Sequence, residues 1–345
     1  MLKSETDFSD IERAVSLLLA GELVAFPTET VYGLGADAAN PGAVGKIFAA
    51  KARPADHPLI VHLAKGVDMT RWAADIPPLA WELAEAFWPG PLTLILKKQD
   101  WVSSHVTGGQ ASIGLRVPAH PLAQQLLRAF AEASPTAGIA APSANRFGRI
   151  SPTLAAHVRE ELGDQVACVL DGGPCQVGIE STILDLTRLE STGAVVLRPG
   201  GIAPAELEKI LGKQSVYRRA NTGEERQGGE KTDIPAPRVS GALDSHYAPT
   251  TPLVLCSSEE LPRVLAKEQA AGCRLGVLAW GVKPEAASPH LWRCLASAPT
   301  TYAHALYRTL RELDGYGLAR IIVEVPPATP AWQAVLDRLY RAAVK

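Results

Sequence analysis

Cysteine is scarce and unpatterned in this chain. The five cysteines, Cys168, Cys175, Cys256, Cys273 and Cys294, form no C-x-x-C pair and are odd in number. That argues against a disulfide framework or a thiolate zinc site, and for buried thiols in a reducing compartment. Long apolar runs are missing too: nothing reaches the about 18 uncharged apolar residues that a membrane-spanning helix needs. The opening MLKSETDFSDIE is polar and acidic, unlike a secretory signal. Nor is either charge in excess. With 34 basic and 36 acidic residues the net charge is −2, so an anion site has to be a local cluster of cations rather than a property of the whole surface. The sequence contains no G-x-x-x-x-G-K-[ST], no G-x-S-x-G and no H-E-x-x-H, which removes P-loop NTPases, nucleophile-elbow hydrolases and zincins. These absences predict a cytoplasmic protein that contacts no membrane and holds no metal through its side chains.

What is present is an ordinary globular composition, 47% hydrophobic and 20% charged over 345 residues, long enough for two domains at about 100–200 residues each. Ser9 and Glu12 read as a capping box for a helix ended by Gly21. Strand ELVAF follows, and Asn40-Pro41 opens a helix through Lys51. The pattern then alternates LIVHL, PPLAWELAEAFW, LTLILKK, SIGLRVP, PLAQQLLRAFA, GIAA, TLAAHVREELG, VACVL, STILDL and AVVLRP. Mixed βα units and strand-after-strand runs predict an α/β domain with a mixed sheet over residues 1–212. Residues 213–250, with TGEERQGGEKTDIPAPR, are Gly-, Pro- and charge-rich and read as a linker. Over 251–345 the strands PLVLC, RLGVLAW and RIIVEV alternate with helical runs, predicting a small α/β domain with a parallel sheet.

FPTETVYGLGADA, residues 26–38, contains a loose match to the dinucleotide fingerprint G-x-G-x-x-G/A. The fingerprint requires its glycines to turn straight from strand into helix. Here they stand well beyond the apolar strand, and the next helix starts only at Pro41, so dinucleotide binding is rejected. The glycines are expected to let the backbone turn under a ligand. The informative letters are Thr28, Glu29, Thr30 and Tyr32, which such a loop does not need.

Further polar loops carry side chains that a core would not choose: KARPADHPLIVH, APSANRFGRISPT and GIEST. Lys51 and Arg53 at a helix exit can serve that helix's last carbonyls. Arg116 and Arg198 lie in apolar strands, where a buried guanidinium needs an anionic partner, a protein carboxylate or a ligand. Ser143 and Asn145 can be turn formers, and Ser181 and Thr182 strand residues. A pocket for an anionic, phosphate-bearing ligand explains all of them in one step.

In order, PTETVYGLG, K-x-R-P-x-x-x-P-L-I-V-H, the R-V-P strand, P-S-A-N…S-P-T, G-I-E-S-T, L-R-P-G and a late S-H-Y-A-P resemble the YrdC/Sua5 family over nearly the full chain. The resemblance implies a YrdC-like twisted mixed open sheet with helices, plus a small C-terminal Rossmann-like α/β domain. It implies a nucleotidyltransferase that joins L-threonine, bicarbonate or CO2 and ATP as threonylcarbamoyl-AMP, releasing pyrophosphate, with Mg2+ accompanying ATP. The product feeds a separate transferase complex that makes t6A at tRNA position 37. Matched motif by motif, Thr30, His62, Arg116, Ser143 and Ser181 surround threonine. Lys51, Arg53, His57, Ser112, Ser143, Asn145, Ser151 and Arg198 line ATP, with Lys51 and Arg53 acting on the reaction itself. His57 stands where many relatives have Asn. His246 and Tyr247 are expected to act as a lid. The alternative is a non-catalytic RNA-binding module, with Lys46, Lys51, Arg53, Arg146 and Arg149 as a basic concavity that makes weak tRNA contact.

Overall fold

The computed structural model describes residues 8–212, 216–217, 235–241, 245–282 and 288–344. The first domain runs α1 (Phe8–Leu19), β1 (Val24–Phe26), β2 (Gly33–Asp37), α2 (Pro41–Lys51), β3 (Ile60–His62), α3 (Pro78–Phe87), β4 (Leu92–Lys97), α4 (Ser104–Thr107) and β5 (Ser112–Arg116). It continues with α5 (Pro121–Ala133), β6 (Ile139–Ala140), α6 (Ala155–Leu162), β7 (Cys168–Val169), β8 (Thr182–Asp185), α7 (Leu189–Thr192), β9 (Val195–Arg198), α8 (Pro204–Leu211) and β10 (Val216–Tyr217). Ten strands form one sheet in the order β10-β9-β8-β4-β5-β3-β6-β2-β1-β7. The pairings are mixed: β3 runs parallel to β5, β4 antiparallel to β5 and parallel to β8.

The second domain comprises β11 (Leu253–Cys256), α9 (Leu261–Ala270), β12 (Leu275–Ala279), β13 (Leu291–Cys294), α10 (Pro299–Asp314), β14 (Arg320–Glu324) and α11 (Gln333–Ala343). Its sheet, β11-β14-β12-β13, is parallel throughout. Its apolar core does not stop at the domain edge, since Val31, Ile150 and Ile179 of the first domain join the cluster around Tyr302 and Tyr307.

The α/β architecture and the parallel second sheet match expectation. Asn40 caps α2, its side chain accepting from the Gly42 and Ala43 amides. Ser9 is not an N-cap, because α1 already includes Phe8. The glycines of GLGAD do not form a turn. They lie in β2, antiparallel to β1, and Gly35 is glycine because a Cβ there would stand 2.9 Å from both the Phe26 ring and the Ile139 methyl. Of the cysteines only Cys175 and Cys256 are buried, and Cys294 is exposed. Strand β13 has a mixed sequence, LWRC, on a half-exposed sheet edge, and its period gives no signal. Most of the linker 213–250 lies outside the described residues. The described part, 235–241 and 245–250, returns across the first domain. No helix among the described residues is long and apolar enough to cross a membrane.

Candidate functional site

Parallel pairing of β3 with β5 sets His62 beside Arg116, each the last residue of its strand. The loop between β1 and β2 folds back over them. Thr28 Oγ1 donates to the Val31 carbonyl at 2.6 Å and accepts from the Thr30 and Val31 amides, a tight local turn. Thr28 and Thr30 hydroxyls meet at 2.8 Å. Glu29 from the same turn receives Arg116 Nη2 at 2.6 Å, both side chains being 5% exposed, and its other oxygen accepts from the Ala119 amide at 3.0 Å. The anionic partner that the fold gives Arg116 is therefore a protein carboxylate.

Lys51 ends α2 with its side chain 1% exposed. Its ammonium does not serve the helix's own carbonyls but donates to those of Ser143 and Asn145. Burial, then the neighbouring charge of Arg53, drives its pKa well below the usual lysine value. Arg53 donates through Nη2 to the Pro58 carbonyl at 3.0 Å, and its pKa is lowered to about 10, chiefly by burial. Its guanidinium stands over the Phe147 ring. His57 packs edge-on against that ring, and burial followed by the Arg53 charge lowers its pKa.

Arg198, the last residue of β9, donates to the Ser181 carbonyl through Nε and Nη2, to Ser181 Oγ at 3.1 Å and to the Ser240 carbonyl at 2.8 Å. Ser181 Oγ also meets Thr93 Oγ1 at 2.8 Å. One guanidinium thus ties the GIEST loop to the returning strap. The strap is held elsewhere by Gln110, which takes the Arg238 amide at 2.6 Å and donates to its carbonyl at 3.1 Å, and by Val239, packed on Ile95 and Ile183. Gly241 has a φ of +78°, and a Cβ there would collide with the Tyr247 hydroxyl.

These elements enclose a cavity of about 40 Å³, room for a few waters. Thr30, His62, Arg116, Ser143 and Ser181, the residues matched to threonine, all line it, and so do Thr28, Glu180 and Arg198. His246 and Tyr247 close it together with Ser240 and Gly241. Ser112 lies in an adjoining slot that the strap fills with Val239. Lys51, Arg53, His57, Asn145 and Ser151 do not line the cavity. Lys51 and Asn145 support its wall from behind, Asn145 through Nδ2 bonds to the Arg146 and Arg149 carbonyls.

A family model described as telomere recombination, Sua5/YciO/YrdC, matches residues 16–200, and one described as the C-terminal domain of threonylcarbamoyl-AMP synthase matches residues 202–344. The chain belongs to the Sua5/YciO/YrdC family. It is 40% identical over 343 residues to a threonylcarbamoyl-AMP synthase of Bacillus subtilis, covering 98% of this chain and 94% of the relative. It is 36% identical over 339 residues to one of Pyrococcus abyssi, covering 96% and 94%. A crystal structure of P. abyssi Sua5 complexed with L-threonine superposes with a TM-score of 0.84 at 35% identity, covering 96% of this chain and 94% of that one.

Within this Sua5-type frame, motif spacing alone did not single out Glu180, Tyr307 and Arg338. Glu180 sits inside GIEST, and the signal available was a carboxylate among small residues in a strand-entry loop. Tyr307 and Arg338 lie on amphipathic helices, where their letters look like ordinary surface positions. Glu180 borders the cavity and receives Arg338 Nε at 2.7 Å, Ser151 Oγ at 2.6 Å and the Tyr307 hydroxyl at 2.9 Å.

Two cavity histidines are neutral at physiological pH. Burial drives the pKa of both His62 and His246 to about 3, with the Arg116 charge adding to the effect at His62. Their unfolded pKa is near 6.5. Folded values below the unfolded one mean that stability is complete above about pH 6.5 and is lost as pH falls toward the folded pKa. Each histidine should remove about 1.4 kcal/mol per pH unit in that window. Glu180, with a folded pKa of about 2, takes over only below its unfolded value of about 4.3. Urea midpoints at pH 7, 6 and 5 should therefore fall progressively, and His62→Gln should flatten the decline.

Proposed function

We infer that this chain condenses L-threonine, bicarbonate or CO2, and ATP into threonylcarbamoyl-AMP and pyrophosphate. The observation that carries this reading is the end-to-end, two-domain match to threonylcarbamoyl-AMP synthases at up to 40% identity. It falls on a chain whose threonine-matched side chains converge on one cavity.

The residues suit the steps. Arg116 spends Nη2 on Glu29 and Nε on the Gly90 carbonyl, and its fork retains further donors for the amino acid's carboxylate. Thr30, Ser143 and Ser181 offer hydroxyls to the substrate's own hydroxyl, a polar setting that rejects analogues lacking it. A neutral threonine amine adds to CO2 and loses a proton, giving the carbamate. A carbamate oxygen then attacks the α-phosphorus and pyrophosphate leaves. This step needs positioning and charge neutralisation rather than a protein nucleophile. Arg198 is the cavity cation for the phosphates, Lys51 fixes the 143–145 wall, and Arg53 adds positive field. Among the described residues no group of three or more acidic, His or Cys side chains is set to hold a metal, and Glu29 and Glu180 are committed to arginines. In this reading Mg2+ accompanies ATP and is held chiefly by its phosphates.

His246 and Tyr247 line the cavity from the strap, a placement that suits a lid that opens to admit the substrates and closes to exclude water. The product is a mixed anhydride that water destroys, so its use requires hand-off to a transferase acting on tRNA in the cytoplasm, with at most a weak tRNA contact here. The RNA-binding alternative is disfavoured, although Arg146 stays exposed. Lys46 pairs with Glu22 and Arg149 with Asp314, while Lys51 and Arg53 are buried. Incubation with MgATP, bicarbonate and each amino acid should release pyrophosphate only when threonine and bicarbonate are both present. Absence of release under every condition refutes the synthase.

A further inference from the structure

The second domain reaches the cavity through one carboxylate. Glu180 stands in the loop before β8, and Gly200 packs so closely that a Cβ there would lie 2.4 Å from the Glu180 carbonyl oxygen, so the loop backbone has no slack. The Glu180 side chain is 8% exposed, and two of its donors come from the other domain, Arg338 Nε at 2.7 Å from α11 and the Tyr307 hydroxyl from α10. Arg338 also donates through Nη2 to the Pro199 carbonyl at 2.9 Å, next to Arg198. Its guanidinium lies 5.0 Å from the Tyr247 ring centre, and Tyr307 stacks on the same ring at 5.8 Å. Two side chains of the second domain therefore touch the GIEST loop, the end of β9 and the strap at once.

We propose that Arg338 and Tyr307 are positioning residues for the cavity, holding Glu180 as a fixed carboxylate and thereby setting where Arg198 and Tyr247 stand. In this scheme the second domain is part of the catalytic apparatus, not a handle for the linker. The proposal rests on the synthase reading for its kinetic consequence only. Its structural consequence stands without it.

The charges agree. Burial alone would raise the pKa of Glu180, but Arg338, then Arg198, then the Ser151 hydroxyl bring it down to about 2. Also facing it are Tyr307 from α10 and His246 and Tyr247 from the strap, the last two neutral around pH 7. Without Arg338 the carboxyl rises and takes up a proton as pH falls through the new value, which adds to the kcat/KM profile an acidic step beyond the one that protonation of the threonine amine gives the parent chain.

Three variants test this. Arg338→Met should lower kcat/KM about 100-fold, as a misplacement near 1 Å does, with the KM for ATP rising and a further acidic step appearing in the pH profile relative to the parent. Arg338→Lys keeps the charge but not the fork. It should restore the pH profile and only part of the rate. Tyr307→Phe keeps the stack and loses one donor, and should raise the KM for ATP about tenfold. Independently of turnover, hydrogen exchange should quicken in residues 178–183 and 245–250 of Arg338→Met and Tyr307→Phe. If the parent chain makes no product the synthase reading fails, and the exchange measurement still decides the positioning. A lower melting temperature with KM, pH profile and exchange in these segments unchanged would reduce both residues to structural props and overturn the proposal. Should Arg338→Met not fold, unchanged exchange and KM in Tyr307→Phe would overturn it equally.

Discussion

Arg116→Ala is expected to abolish threonine-dependent pyrophosphate release, lowering kcat/KM for threonine about 1000-fold, while calorimetric ATP binding persists. The magnitude is that of truncating one partner of a buried, hydrogen-bonded charge pair, about 2–5 kcal/mol at about 1.4 kcal/mol per factor of ten. The same substitution carries a second cost. Glu29 would be left buried with the Ala119 amide as its remaining partner, and an uncompensated buried charge destabilises a fold by about 3–5 kcal/mol. A fall in activity could then be mere unfolding. Glu29→Gln with Arg116→Met separates the two effects. Removing both charges and keeping the volume should return the urea midpoint close to the parent value, because replacing a buried pair by neutral groups is often nearly free. Threonine use should stay lost. If the double variant recovers turnover along with stability, Arg116 is a structural partner of Glu29 and the threonine carboxylate is bound elsewhere. If Arg116→Ala itself turns over normally, the assignment is wrong outright.

The pair also shows what the sequence could and could not convey. That a guanidinium in SIGLRVP needs an anion follows from burial of a strand. Which anion it finds depends on a chain return that brings residue 29 against residue 116, and no local pattern encodes that. The same division runs through the fold. Strands such as LTLILKK and the Asn40-capped α2 are dictated by neighbours within a few residues and were legible. Strand β2 was hidden because its glycines look like a turn, whereas they answer to the bulk of Phe26 and Ile139 on adjacent strands. Lys51 and Arg53 were readable as cations near a helix end. The removal of Lys51 behind the cavity wall depends on carbonyls about ninety residues away, whereas Arg53 is held by the nearby Pro58 carbonyl. Arg338 and Tyr307 were silent, since contact with Glu180 requires docking of the second domain, and helix periodicity describes only which face is apolar.

Arg198→Ala should fail at the opposite end of the cavity. Among the described residues its guanidinium makes no ion pair of its own, and Glu180 keeps Arg338, so no buried charge there is orphaned. The stability cost is limited to losing donors on the Ser181 and Ser240 carbonyls, about 1–3 kcal/mol. The catalytic cost is larger. The cavity loses the cation placed for the phosphates, an interaction worth about 10²–10³ in kcat where one donor to a developing charge is removed. The strap also loses its tie at Ser240, so closure over ATP weakens and the KM for ATP rises. The threonine affinity measured by calorimetry should fall less than the ATP affinity, because Arg116, Thr30 and Ser143 do not depend on Arg198 for their partners, although Ser181 does. Arg198→Lys should recover part of kcat but not the KM, since one ammonium can neutralise charge yet cannot hold the Ser181 and Ser240 carbonyls together. Steady-state kinetics with each substrate varied in turn separates these effects. A rise in the threonine KM with unchanged ATP kinetics would place the two substrates the other way round in the cavity.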